Sequence, residues 1–216
     1  MDTDPDTDSE RRDGPVGFDL DLTLIDSRPA ILAAWEHLAR DTGVAIDLAA
    51  VDSRMGLKLE DEAAYWFPPS ELGRAADGYR RHYVRLAPAL TTALPGAAAA
   101  LDAVTAAGAT AVIITAKHPV SIGPSLTAAG LPDAEIYAHV HGPEKAAVLE
   151  RLRAAVYVGD TPADMAAARS AGARAVGVPT GSFEVTRLLA AGAHDVLATL
   201  EGFPAWYASF RAGAPS

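Results

Sequence analysis

From residue 16 to residue 24 apolar and polar positions alternate. Val16, Phe18, Leu20, Leu22 and Leu24 are apolar, and Gly17, Asp19, Asp21 and Thr23 hold the other parity. In an extended strand this puts two carboxylates and a hydroxyl on one face and an apolar surface on the other. Two placements satisfy the pattern: an edge strand with one solvated face, or a strand whose C-terminal end carries the acids into a ligand site. A strand is predicted over 16–20. Ser27 as N-cap and Pro29 in the first turn then open a helix through residue 40, with Ile31, Trp35, Leu38 and Ala39 on one face and Gly43 marking its end. Between 44 and 94 the pattern stays helical, with pieces near 48–54 and 57–67 and a longer helix over 70–86. Pro68, Pro69 and Pro88 punctuate them, and no strand pattern is found there.

From residue 96 the rhythm changes. Predicted helices at 96–107, 119–129, 143–153 and 162–171 alternate with predicted strands at 110–115, 134–138, 155–158 and 174–178. Gly108, Gly130 and Gly172 sit at helix ends, where a left-handed residue is favoured. Strands alternating with helices of this length imply a parallel sheet with right-handed crossovers. A helix over 183–191, a short strand or turn at 194–196 and a helix near 199–210 close the chain. The expected fold is α/β: a doubly wound, Rossmann-like parallel sheet with an all-helical insertion after the first strand. The expected division is a core of 15–27 and 93–216, a helical insertion of 28–92, and a disordered acidic tail of 1–14.

Composition narrows the partners. A chain of 216 residues can form one sizeable core plus a small accessory layer. Half of it is hydrophobic and only 6% aromatic, so the core should be built from Ala, Val, Leu and Ile. The formal charge is −10, and residues 2–13 hold six acids against two bases, a net of −4. The remainder is mildly acidic, which argues against a nucleic-acid partner, since that needs a basic face. The absence of cysteine excludes disulfides and thiolate metal sites. The acidic N-terminus lacks the apolar stretch of a secretory signal. The Ala-rich run 97–114 is interrupted by Asp102 and two threonines and is too polar to span a membrane. A soluble, cytoplasmic protein without a membrane partner is expected.

Several residues stand where chemistry is done. Thr115 ends the strand-like AVIIT, placing its hydroxyl to hold an anion; standing alone it reads rather as an ordinary β-branched strand residue. Lys117, in the same turn, reads as a solvated loop lysine. Lys145 lies in the first turn after Pro143, where the positive end of the helix dipole disfavours a cation by ~0.3–1 kcal/mol. A nearby phosphate and carboxylates would reverse that sign. Asp160 follows Val158-Gly159 at a strand's C-terminal end, and Asp164 falls near N3 after Thr161-Pro162, where an acid is also a capping-box residue. The six histidines show no zinc spacing, and His139-x-His141 lacks a third partner nearby. Arg54, Lys58 and the run Tyr79-Arg80-Arg81-His82-Tyr83 are basic islands that read as a solvated helix face.

Four of these motifs occur in the order found in one family. VGFDLDLTLIDS resembles the first motif, D-x-D-x-T, of the haloacid dehalogenase superfamily. Thr115 after AVIIT, Lys145 in GPEK, and Asp160 with Asp164 in VGDTPADM follow in that family's order. The resemblance runs from residue 16 to about 198 and is strongest to the phosphoglycolate-phosphatase-like branch. Leu22 departs from it, standing where that branch usually has glycine. The resemblance implies that the 28–92 insertion is a cap closing over the site. It implies that Asp19 is a nucleophile forming an aspartyl-phosphate, and that Asp21 protonates the leaving group and then activates water. Thr115 would hold a phosphate oxygen and Lys145 would balance charge. Mg²⁺ would be held by Asp19, the backbone carbonyl of Asp21, Asp160, and Asp164 directly or through water. Arg54 lies where relatives often carry a substrate-facing loop, and it would meet a second anionic group on the substrate. The expected activity is Mg²⁺-dependent hydrolysis of a small phosphate monoester, with a phosphorylated metabolite as partner. Two alternatives remain: a phosphomutase acting on a sugar phosphate, or a non-catalytic phospholigand-binding module. The second predicts loss of a catalytic position, and none of the matching positions is lost.

Overall fold

The computed structural model describes residues 12–213. The expected disorder of 1–14 falls, for residues 1–11, outside them. Strands β1 (Val16–Phe18), β2 (Ile25–Asp26), β3 (Thr92–Ala93), β4 (Ala111–Ile114), β5 (Glu135–Tyr137), β6 (Val156–Gly159), β7 (Arg174–Gly177) and β8 (Asp195–Val196) form two sheets. Six of them make a parallel sheet of order β5-β4-β1-β6-β7-β8. From β1 the chain builds outward to β4 on one side and to β6 on the other. The switch point therefore lies at the C-terminal ends of β1, β4 and β6, where open α/β sheets bind ligands.

The central strands β1, β4 and β6 alternate between two buried faces, which is why they read as continuous apolar runs. Val16, Phe18, Ile113, Val156 and Val158 pack on one side with Leu101, Phe203 and Tyr207. Those partners come from the helices Ala97–Ala106 and Phe203–Arg211. Val112, Ile114, Tyr157 and Ala175 face the other way, onto Leu149, Met165 and Leu188. The helices there are Pro143–Leu152, Pro162–Ser170 and Val185–Ala190. The result is a three-layer, doubly wound α/β core.

The segment between β2 and β3 is helical. Helices α1 (Arg28–Thr42), α2 (Leu48–Ser53), α3 (Leu59–Ala63) and α4 (Leu72–Leu90) gather a hydrophobic cluster of their own around Trp35, Leu38, Phe67, Tyr79 and Tyr83. Two details differ from the sequence reading. Residues 92–93 pair antiparallel with 25–26, so a two-stranded ribbon joins the helical layer to the sheet where no strand was expected. Two residues are too few to carry a period. Pro88 does not end its helix but lies inside it, two residues before its end, without the bond that an N–H there would make to the Val84 carbonyl. Among the described residues no helix is long and apolar enough to cross a membrane.

Candidate active site

The alternation of 16–24 does not persist as a strand. β1 stops at Phe18, and the Leu20 carbonyl then accepts from the N–H groups of Leu24 and Ile25 at 3.0 and 3.1 Å. The two acids are thereby carried off the sheet's end on a tight turn. Leu22 occupies the left-handed region at φ 59°, the conformation for which glycine is the unstrained choice. Its N–H donates to the Ile25 carbonyl at 2.8 Å, its carbonyl accepts from the Thr180 hydroxyl, and its side chain is buried.

Asp19 sits at the mouth of this turn, 7% exposed, with its N–H on the Val158 carbonyl at 2.8 Å. Lys145, from the first turn of Pro143–Leu152, donates to Asp19 Oδ1 at 2.8 Å and to Asp164 Oδ1 at 2.7 Å. Burial works against the Lys145 ammonium, but Asp164 and Asp19 hold its pKa well above the ordinary lysine value. Burial raises the Asp19 carboxyl to about 7; Lys145 opposes the rise, and Asp164 and Asp21 add to it. Burial, with Asp19 and Asp164 beside it, also pushes Asp160 well above the usual range.

Asp164 spends both oxygens on protein donors. Oδ2 accepts from the Thr161 N–H at 3.1 Å and the Thr161 hydroxyl at 2.6 Å, closing a capping box, while Oδ1 faces Lys145 and Tyr157. Asp160 Oδ1 accepts from the Thr23 hydroxyl at 3.2 Å, and a Cβ at Gly181 would overlap its Oδ2, so that position must lack a side chain. Ligand oxygens of Asp19, Asp160 and Asp164, all buried, lie within 4.8 Å of one another. Three buried carboxylates against one ammonium leave a charge deficit, and a hard divalent cation with oxygen ligands fits it.

Asp21 Oδ1 accepts from the Ser27 hydroxyl at 2.5 Å and the Lys117 ammonium at 2.6 Å. Ser27 begins α1 as expected but makes no capping bond, because its hydroxyl is spent on Asp21. Lys117 overturns its reading as a solvated loop lysine. Its side chain is 6% exposed and lies 4.3 Å from the centroid of the Tyr83 ring on α4. Burial would lower its pKa, yet Asp21 and Tyr83 beside it leave the ammonium above its ordinary value. Thr115 is buried at the end of β4, and its hydroxyl accepts from the Lys117 N–H at 3.1 Å.

Asp19, Asp21, Thr115, Lys145, Asp160 and Asp164 all line one cavity of about 590 Å³ between the sheet's end and the helical layer. Arg54 lines it too, with Nε and Nη2 donating to Glu62 at 2.8 and 2.6 Å and the guanidinium 4.2 Å from the Tyr65 ring centroid. The run 79–83 is not uniformly a solvated face. Tyr79 and Tyr83 are buried, and Arg80 is turned inward, paired with Glu60 and Asp77. The histidines also gather: His139 packs edge-on against His118 and His141, at 5.6 and 5.0 Å between ring centroids. His141 is buried, its Nε2 has no partner among the described residues, and burial, with Lys58 and His139, lowers its pKa to about 4. Lys117 two residues after Thr115 was the one signal available for the missed contact; nothing local marked Tyr83 as its partner.

The sequence matches the family described as haloacid dehalogenase-like hydrolase over residues 16–178. No curated protein matches it. Solved structures show the same fold. A hydrolase from Pseudomonas syringae is 24% identical, with 87% of this chain and 94% of that one covered and a TM-score of 0.73. A predicted phosphoglycolate phosphatase from Haemophilus somnus 129PT is 19% identical, with 88% and 96% covered and a TM-score of 0.75. A HAD family hydrolase from Deinococcus radiodurans R1, solved with bound phosphate and sodium, is 23% identical, with 91% and 96% covered and a TM-score of 0.67.

Proposed function

Because the chain belongs to the haloacid dehalogenase-like hydrolase family, we propose that it is a Mg²⁺-dependent phosphatase acting on a phosphate monoester through an aspartyl-phosphate on Asp19. The observation that carries this reading is the grouping of Asp19 with Lys145, Asp160 and Thr115 in one cavity at the sheet's switch point. A carboxylate oxygen of Asp19 attacks phosphorus, the ester P–O bond breaks, and Asp21 gives its proton to the departing alkoxide. Asp21 then takes a proton from water, whose oxygen attacks the acyl phosphate; inorganic phosphate leaves and Asp19 is restored. Lys145 favours the ionised form of Asp19 against its burial and neutralises phosphoryl charge. The Thr115 hydroxyl, which accepts from the Lys117 N–H, offers its own proton to a phosphoryl oxygen. Asp19, the Asp21 carbonyl and Asp160 would hold the cation, which when bound relieves the repulsion among the buried carboxylates and polarises the phosphoryl group. Asp164 serves that site chiefly by fixing Lys145 and the Thr161 turn.

Lys117 and Ser27 enter the proposal as positioning residues, since both donate to the same oxygen of Asp21. The helices of 28–92 act as a cap, moving on the β2–β3 ribbon. Arg54 shapes the cavity wall through Glu62 rather than meeting a second anionic group, because Glu62 already takes two of its donors and balances its charge. Phosphate release from a panel of monoesters, with Mg²⁺ and with a chelator, tests the reading. Release that needs the cation supports it. Transfer of the phosphoryl group to a second sugar hydroxyl would mark a mutase, and binding without turnover would mark a non-catalytic module.

A further inference from the structure

The cavity is larger than its phosphate end requires, and the wall that the helical layer gives it includes an apolar strip. Its volume of about 590 Å³ lies within the ~300–1,000 Å³ of pockets that enclose drug-sized ligands. At one end stand Asp19, Lys145 and Thr115. The helical layer supplies part of the rest, and its apolar share is Ile31 from α1, Met55 and Leu57 from the α2–α3 loop, and Leu59 from α3, among other residues. Leu57 is 45% exposed, belongs to none of the hydrophobic clusters, and lines this cavity. Its loop is pressed onto the catalytic end: a Cβ at Gly56 would meet Thr161 Cγ2 at 3.3 Å. Of the cations on the same wall, Arg54 is matched by Glu62 and Arg80 by Glu60, and Lys58 lines the cavity beside them.

From these observations we propose that the substrate's leaving group is an alcohol with a ring-sized apolar body, held against Ile31, Met55, Leu57 and Leu59. The proposal rests on the phosphatase reading for the placement of the phosphate. An apolar wall continuous with the phosphate end rewards a leaving group that covers it, because apolar surface gains from leaving water roughly in proportion to its area. A two-carbon leaving group has little apolar surface with which to cover Leu57.

The test compares two esters of primary alcohols, so that leaving-group chemistry is matched: 2-phenylethyl phosphate and ethyl phosphate. Turnover with Mg²⁺ is read beside calorimetric binding of their non-hydrolysable counterparts, 3-phenylpropylphosphonate and propylphosphonate. The expected preference for the phenyl compounds is about tenfold or more in both kcat/KM and Kd, the scale on which apolar pockets discriminate. Leu57→Ser, at an exposed position outside the packed clusters, should shrink that preference several-fold. Equal affinities and equal kcat/KM for the two compounds would overturn the proposal, as would a preference that Leu57→Ser leaves unchanged. Preferential binding with no turnover of either ester would keep the subsite and remove the phosphatase reading.

Discussion

Replacing Leu22 separates two opposed effects at the turn that carries Asp21. At φ 59° a side chain strains the backbone, at about 1–2 kcal/mol for a residue other than glycine. The same side chain is 4% exposed, and removing a buried leucine costs ~2–5 kcal/mol. The low end of that range applies here, because Leu22 borders the cavity and water can enter the space it leaves. Leu22→Ala loses the packing and keeps the strain, so it should be about 2 kcal/mol less stable than the wild type. Leu22→Gly loses the same packing but relieves ~1–2 kcal/mol of strain, less the extra ~0.5–1 kcal/mol of chain entropy that glycine forfeits on folding. It should therefore fall between the two, roughly 0.5–1 kcal/mol above the alanine variant. Urea unfolding of the three proteins, with slopes checked for equality, measures the order. At most buried positions alanine is the better replacement. An alanine variant as stable as the glycine one, or more so, would show that Leu22 is not left-handed and refute the reasoning.

Lys117→Met should lower kcat about tenfold or more with little change in KM, because it removes a donor that orients the acid–base group; an unchanged kcat and pH profile would show that Asp21 needs no such support. Asp160→Asn should raise the Mg²⁺ concentration for half-maximal activity by roughly 10–100-fold. Asp164→Ala should instead show mainly as lost stability, at least ~0.5–2 kcal/mol from its capping role alone. Metal titration and urea unfolding of both variants check the pair, and equal loss of metal affinity would make Asp164 a direct ligand. His141 gives a pH signature. Its folded pKa of about 4 lies below the ordinary 6.5, so between those values only the unfolded chain takes up the proton, and stability falls as pH falls through that window. The effect should reach about 1–2 kcal/mol after solvent screening, and the dependence should flatten in His141→Gln.

The parts of this site that a reader can find in the sequence are those fixed by local rules. Asp19, Thr115 and Asp160 stand just past apolar runs that must be buried parallel strands, and the glycine-terminated helices between them force the crossovers that bring the ends together. The double reading of Asp164 was legible for the same reason: an acid three residues after Thr161 is a capping residue wherever it lies, and in the structure it is one that also holds Lys145. Lys117 was not legible. Its carboxylate partner is 96 residues away, and the ring beneath it belongs to a helix of another layer, so nothing nearby distinguishes it from a surface lysine. Arg54 and Arg80 are similar cases, since their acids, Glu62 and Glu60, are chosen by how α2, α3 and α4 pack rather than by a motif. The β2–β3 ribbon escaped because two residues show no alternation.

The claim that Asp19 is the covalent nucleophile is tested most directly by trapping the intermediate. The protein is mixed with an aryl phosphate and Mg²⁺, quenched in acid within a turnover, digested and weighed. The peptide carrying Asp19 should gain the mass of one phosphoryl group, and the gain should be larger in Asp21→Asn, which forms the acyl phosphate from a good leaving group but cannot activate water to clear it. In Asp19→Asn that mass should be absent and turnover should fall to background with the fold intact. A phosphoryl group on any other residue, or an Asp19→Asn protein that still turns over substrate at the wild-type metal concentration, would contradict the account.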